Sequence, residues 1–305
     1  MKIIFKFKLN TVYMKNKKVL ITGISGFLGY HLYNALYKNN TIVGLYKYNY
    51  PKLPAAKLCE CDISDKDQIS SILNEYKFDF VFHLAAYSKT GLCEQNPNKS
   101  FSINVNGTNN IIQYCNKTKT PLLFTSTDLV FDGVKGNYSE SDKPNPINIY
   151  GSHKLKAEAS FDQITGEYWI ARMPLLLGNA GTTGKSFLQD YFKSYKSGIP
   201  MPLFDDEIRA PITGPVAAKW LIWLTSQDKG VYHLGGKTYS RYEMGIAFSE
   251  IFKLDKSKII RSNHDKVKLS SPRPKDLSLN CDKAKRKGFI ETDCMEDLIS
   301  LLPFF

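Results

Sequence analysis

The chain has 305 residues, 43% of them hydrophobic, enough to bury a full core in one large domain or two intimate ones. Its formal charge of +12 favours an anionic partner, yet among 41 basic residues only Arg172, Arg209, Arg241, Arg261, Arg273 and Arg286 are arginine, and the lysines are spread along the whole length. That dispersal argues against nucleic acid, which selects Arg and Lys concentrated with aromatics on one element, and the absence of any run of about 18 apolar residues argues against a membrane span.

An acidic small molecule such as a nucleotide and a cytoplasmic location are the expectations that remain. Cys59, Cys61, Cys93, Cys115, Cys281 and Cys294 form no C-x-x-C pair and have no His at metal-ligand spacing. They read as reduced, structural thiols with no metal site.

Residues 1–16 read as an N-terminal extension. Ile3, Ile4, Phe5, Lys6, Phe7 and Lys8 mix apolar and basic residues without the continuous apolar core and cleavage site of a signal peptide, and Met14 is the expected natural start. Strands are then predicted at Lys18–Thr22, Thr41–Tyr46, Lys57–Cys61, Phe78–Ala85, Leu122–Thr125 and Tyr168–Met173. The intervening helices are one carrying Leu28, Leu32 and Leu36, then Lys66–Tyr76, Ser100–Lys117 and Ile149–Phe161. This alternation predicts an α/β fold, a doubly wound parallel sheet covered on both faces.

After Leu177 the order loosens into glycines and prolines, with a helix at Val216–Ser226, a strand at Val231–Leu234 and a helix near Arg241–Phe252. A smaller C-terminal substrate-binding cap is expected at about 178–211 and 239–305, and a nucleotide-binding domain at 17–177 with about 212–238.

The first strand runs into Thr22-Gly23-Ile24-Ser25-Gly26-Phe27-Leu28-Gly29, which opens the first helix. That is the setting a dinucleotide fingerprint requires: Gly23 for the tight turn, Gly26 for backbone approach to a pyrophosphate, Gly29 for helix against strand. The helix N-terminus offers free N–H groups to phosphate, and Ser25, Phe27 and Leu28 are candidate contacts on the same loop, so a Rossmann-type NAD(P) site is expected.

Where an NAD-preferring site places Asp or Glu at the end of the second strand, this chain has Gly44-Leu45-Tyr46-Lys47. Lys47 is suited to a 2'-phosphate, so NADP(H) is expected, with NAD(H) left open.

The fifth strand opens into Thr125-Ser126-Thr127-Asp128-Leu129-Val130-Phe131-Asp132-Gly133, followed by Tyr150-Gly151-Ser152-His153-Lys154. Tyr-x-x-x-Lys also occurs at Tyr13/Lys17 and Tyr48/Lys52, but only Tyr150 starts a helix after a hydroxyl-bearing strand end. Thr127, Tyr150 and Lys154 are therefore the candidate catalytic trio. Tyr150 can give a proton to a carbonyl oxygen that Thr127 hydrogen-bonds, while an ammonium one turn away lowers the phenol's pKa from its ordinary value of about 10.

With these residues the chain resembles the extended short-chain dehydrogenase/reductases, and within them it is similar to the dTDP-4-dehydrorhamnose reductase family. The likeness rests on the glycine loop, Asp62-Ile63, His83-Leu84-Ala85-Ala86, Asn104-Val105-Asn106-Gly107-Thr108, the Ser126–Gly133 run, Tyr150-Gly151-x-x-Lys154, Arg172 and Arg273-Pro274. The resemblance implies that Asp62 and Ile63 flank the adenine, that Leu84, Ala85 and Ala86 line the cofactor, and that the trio is catalytic.

It further implies an NAD(P)H-dependent reductase of a 4-keto-6-deoxy nucleotide sugar. A nucleotide-sugar epimerase and a noncatalytic regulatory subunit like the beta subunit of methionine adenosyltransferase stay as alternatives. Related 4,6-dehydratases carry Glu after Thr-Asp, whereas Leu129 has no ionisable group, so dehydration is disfavoured. Arg209 and Arg273, both among turn residues, are candidate clamps for a nucleotide-sugar diphosphate, and a homodimer is left open.

Overall fold

In a computed structural model, residues 14–179, 181, 184–266 and 271–301 are described. The expected extension therefore lies, for residues 1–13, outside the described residues. Met14 itself is packed into the core and its carbonyl accepts from Asn40 Nδ2 at 3.0 Å.

The apolar runs assemble into one seven-stranded sheet of β1 (Lys18–Thr22), β2 (Thr41–Tyr46), β3 (Ala56–Glu60), β4 (Phe80–His83), β5 (Leu122–Thr127), β6 (Tyr168–Met173) and, later in the chain, β11 (Gly230–His233). The order is β11-β6-β5-β4-β1-β2-β3 and every neighbouring pair is parallel. Strand order reverses between β1 and β4, which leaves a crevice at their carboxyl ends, the place where open α/β sheets bind ligands.

Period-2 alternation explains why these strands read as continuous apolar runs. Val19 and Ile21 enter one core and Leu20 the other; Phe80 and Phe82 face the first and Val81 the second. Helices α1 (Phe27–Leu36) and α8 (Gly214–Leu224) supply Leu32, Leu36, Val216 and Leu221 to the first layer. Helices α2 (Lys66–Glu75) and α5 (Gly107–Thr118) supply Ile69, Leu73, Ile111 and Ile112 to the second. A parallel sheet is stable only when both faces are covered in this way.

The long helix expected at Ser100–Lys117 is interrupted. It begins as α4 (Pro97–Phe101), widens into a π-helical stretch at Ser102–Asn106 and continues as α5. Asn104 lies in the widened turn and ties it to the loop after β4, accepting from Tyr87 N at 2.8 Å and donating to Tyr87 O at 3.1 Å. Apolar periodicity carries no mark of this widening. Two further differences bear on the site: β5 runs two residues beyond the expected Thr125, and a short α3 (Thr90–Gln95) had no sequence signal.

The later residues form short strand pairs and a third core. β7 (Leu176–Leu177) pairs with β10 (Ile212–Thr213), β8 (Met201–Phe204) with β13 (Ile259–Ser262), and β9 (Ile208–Arg209) with β12 (Tyr239–Ser240). Leu188 of α7 (Phe187–Lys196), Met244 and Phe248 of α9 (Arg241–Phe252) and Leu298 of α11 (Cys294–Leu301) meet in that core, and α10 (Asp282–Lys285) packs near β11. No helix among the described residues is long and apolar enough to cross a membrane.

One ion pair ties the sheet to α6 (Ile149–Ala159). Arg172 on β6 donates from Nη2 to Glu158 Oε2 at 2.7 Å and from Nε to Oε1 at 3.1 Å, with side chains only 5% and 7% exposed. Nδ1 of His233 faces the Tyr138 carbonyl at 2.9 Å and so carries the proton, which leaves Nε2 to accept from Arg172 Nη1 at 3.3 Å. Removing one member strands a buried charge, whereas removing both does not. Glu158→Leu is expected to lower stability by about 3–5 kcal/mol, while Glu158→Leu combined with Arg172→Met recovers most of that loss, as read from urea unfolding midpoints.

Candidate active site

The crevice between β1 and β4 opens into a cleft of about 390 Å³. Its floor is the turn between β1 and α1. Gly23 takes φ +70°, and a Cβ there would lie 2.8 Å from the Ala85 backbone; a Cβ on Gly29 would lie 2.4 Å from the Gly23 carbonyl. Both positions therefore demand glycine, and the loop brings bare backbone to the start of α1.

Gly26, Ser25, Phe27 and Leu28 line the same floor. Leu84, Ala85 and Ala86 form one wall, and Lys47, Asp62 and Ile63 the far end. Thr22 fixes that wall: its hydroxyl accepts from Leu84 N and Ala85 N at 3.1 Å each and donates to His83 Nδ1 at 2.7 Å. Burial, with Lys154 nearby, lowers His83 to about 3, so the imidazole is a neutral strut.

The other end is built by β5 and α6. Thr127, Tyr150 and Lys154 all line the cleft, as do Thr125 and Ser126. Helix α6 is started by Asn148, whose Oδ1 accepts from Gly151 N at 2.8 Å. A Cβ on Gly151 would lie 2.1 Å from the Leu129 carbonyl, so the helix rests directly on the 3₁₀ turn Asp128–Val130 that follows β5.

Ser126 Oγ is buried without a hydrogen-bond partner and lines the cleft. An orphaned hydroxyl in the same cleft as bare glycine backbone fits a polar ligand that is itself rich in acceptors, and a dinucleotide meets that description.

The electrostatics refine the expectation for the trio. Lys154 is 2% exposed and its ammonium lies over the Phe124 ring, 3.8 Å from the centroid. Burial draws its pKa down to about 7, against the pull of Glu158. Tyr150 moves the opposite way to the sequence expectation. Burial, then Cys93 and Asp128, raise it, so the protein's own groups keep the phenol protonated.

Lys47 is not a free cation at the far end. It forms an ion pair with Asp62, which also accepts from Ser64 N at 3.0 Å and Ser64 Oγ at 2.7 Å. Two residues assigned separately from sequence are thus one unit.

A second cavity of about 630 Å³ adjoins the first, and Thr127 lines both. Leu129, Asp128, Glu207, Arg209, Arg241 and Arg273 face it. The turn-residue reading of Arg209 is corrected: it lies on β9, 5% exposed, and spends its guanidinium on the carbonyls of Ile208, Pro274 and Lys275 at 2.6, 2.9 and 3.0 Å. It therefore anchors the segment that carries Arg273.

Sequence reasoning missed Glu207 and Arg241. Burial pushes the Glu207 carboxyl up, but Arg241 and Arg209 outweigh it and hold it at about 2. Arg241 donates from Nε to Glu207 Oε1 at 2.7 Å, while its Nη1 is buried without a partner. The scarcity of arginine was the available signal, since three of six gather here.

A glycine-floored cleft at the strand-order reversal of a parallel sheet defines a dinucleotide-binding α/β protein, and a second cavity adjoins that cleft at Thr127. The chain belongs to the family described as RmlD substrate binding domain, whose model matches residues 17–302. It is 30% identical to the probable low-salt glycan biosynthesis reductase Agl14 of Haloferax volcanii over 223 residues, 72% of this chain and 74% of that protein. It is 27% identical to methionine adenosyltransferase 2 subunit beta of Danio rerio, covering 96% and 93% of the two chains. The crystal structure of a hypothetical dTDP-4-dehydrorhamnose reductase from Sulfolobus tokodaii superposes with a TM-score of 0.79 at 27% identity, covering 91% and 96%.

A depressed lysine has a definite effect on stability. Its unfolded pKa is near 10.5 and its folded pKa about 7, so the unfolded chain binds more protons between these values and stability rises with pH across that window. Lys154→Met is expected to raise the urea midpoint at pH 7 and below, by the equivalent of a few kcal/mol, and the gain should vanish as pH approaches 10.5.

Proposed function

We propose that this protein is an NADP(H)-linked reductase of a 4-keto-6-deoxy nucleotide sugar, with NAD(H) as a weaker alternative cofactor. The observation that carries the reading is Thr127, which lines both the glycine-floored cleft and the arginine-bearing cavity beside it. A group bound in one and a group bound in the other would meet beside it. The reductases named among the relatives support the same reading.

In this proposal the unit at 17–177 with about 212–238 holds the cofactor, and 178–211 with 239–305 caps the sugar nucleotide. Gly23, Gly26 and the start of α1 receive the pyrophosphate, Asp62 and Ile63 flank the adenine, and Lys47, shared with Asp62, faces the 2'-phosphate. When bound, a reduced nicotinamide supplies the hydride that the ketone needs.

Tyr150 gives its phenolic proton to the ketone oxygen, which leaves an alcohol. Lys154, when charged, offsets the phenolate that remains, and Thr127 donates a hydrogen bond to the same oxygen. Arg241 and Arg273, rather than Arg209, take the diphosphate, because Arg209 has committed its donors to backbone carbonyls. Leu129 offers the sugar an apolar wall with no acid or base, which sets this reading apart from dehydration.

The extent of the likeness to the methionine adenosyltransferase beta subunit, 96% of this chain, favours a noncatalytic cofactor-binding subunit as the second reading. Purified protein given NADPH and a dTDP-4-keto-6-deoxy sugar is expected to oxidise NADPH, with Tyr150→Phe losing roughly 10²–10⁴-fold in kcat. An epimerase would convert the sugar without net oxidation, and a regulatory subunit would show no turnover with any common nucleotide sugar.

A further inference from the structure

Thr127 has one hydroxyl hydrogen, and the structure directs it inward. The hydroxyl accepts from Leu129 N at 3.2 Å and donates to Asp128 Oδ1 at 3.1 Å. An ionised carboxylate can only accept. While Asp128 is charged, the hydrogen of Thr127 therefore points at Asp128, and the hydroxyl offers the cleft only a lone pair.

A ketone oxygen is itself an acceptor and gains nothing from a lone pair. Protonating Asp128 reverses the constraint. The carboxylic acid becomes a donor, Thr127 Oγ1 can accept from it, and the threonine hydrogen is free to turn into the cleft. At 3.1 Å the bond is longer than the 2.7–2.8 Å at which O–H···O contacts cluster, so it is the carboxylate's charge that holds the hydroxyl, and loss of that charge releases it.

The surroundings of Asp128 make the switch accessible. It is 4% exposed and lines the second cavity. The charged and titratable groups facing it are Arg209 from β9, Arg241 from α9 and Tyr150 from α6. Burial raises its carboxyl to about 6, against the pull of Arg209, the Thr127 hydroxyl, Arg241 and the Leu129 N–H.

We propose, resting on the reductase reading, that Asp128 is a positioning residue that sets the direction of the Thr127 hydroxyl, offering it to a ketone oxygen when protonated and withdrawing it when ionised. Asp128 neither touches the reacting atoms nor transfers a proton to them. It acts through Thr127, and its loss of a proton lowers turnover.

Two measurements on the full chain test this. The first needs no activity: aspartate carboxyl ¹³C resonances are followed against pH, with the Asp128 signal identified by its loss in Asp128→Asn. Thr127→Val removes the donor that favours the ionised form, so the Asp128 midpoint should rise by about one pH unit, whereas Thr127→Ser should restore it. An unchanged midpoint in Thr127→Val overturns the proposal.

The second is the pH profile of kcat. The wild-type rate should fall as pH rises through the Asp128 midpoint, and that limb should be absent from both Asp128→Asn and Thr127→Val but kept in Thr127→Ser. Lys154, brought near neutrality by burial, contributes its own limb to all four proteins. Persistence of the Asp128 limb in Thr127→Val overturns the proposal, because Asp128 would then act without Thr127. A wild-type protein with no turnover counts against the reductase reading, and the carboxyl titration then decides the proposal by itself.

Discussion

The site depends on one close contact, the seating of α6 on the turn after β5. Gly151 has no side chain to keep the Leu129 carbonyl away, and any Cβ there would lie within 2.1 Å of it. Because the helix sits on bare backbone, Tyr150 and Lys154 reach the cleft into which Thr127 projects from the end of β5. The Arg172–Glu158 pair then fixes the same helix to β6 from its other end. Local cap, close contact and buried ion pair act in series, so an error in any one would displace two of the three candidate catalytic groups.

The same packing sets the electrostatics. Burial beside the cleft brings Lys154 down to about 7, and burial beside the second cavity brings Asp128 up to about 6, so both lie where small changes in pH alter their charge. Glu207 responds in the opposite sense, because arginines surround it at contact distance while Asp128 has them further off. Burial alone therefore does not decide a carboxyl's state. The number and proximity of guanidinium groups do.

The sheet was legible because both of its faces are buried: β1 and β4 carry the short continuous apolar runs Val19–Ile21 and Phe80–Phe82 between helices. The glycine loop was legible because Gly23 and Gly29 answer geometric demands that no other residue meets. Every residue assigned to the cofactor from sequence lines the cleft, including Lys47 and Ile63.

The pairing of Lys47 with Asp62 was not legible, since it joins the ends of β2 and β3 across the register of the sheet. Arg241 escaped notice for a similar reason: it starts α9, 34 residues beyond the Glu207 it meets, and no local pattern encodes that contact. The π-helical turn around Asn104 likewise depends on a tertiary partner, the Tyr87 backbone. Local periodicity recovers elements, and long-range polar contacts appear only when the chain is folded.

In the proposed reaction a ketone in the arginine-bearing cavity is reduced at Thr127 and Tyr150 by a nicotinamide cofactor. The most direct test is isotopic. With NADPH deuterated at carbon 4 of the nicotinamide on the transferred face and a nucleotide-linked 4-keto-6-deoxy sugar, the account predicts a product carrying one deuterium at sugar carbon 4. A product without deuterium, or a sugar that isomerises while NADPH is left intact, would contradict it.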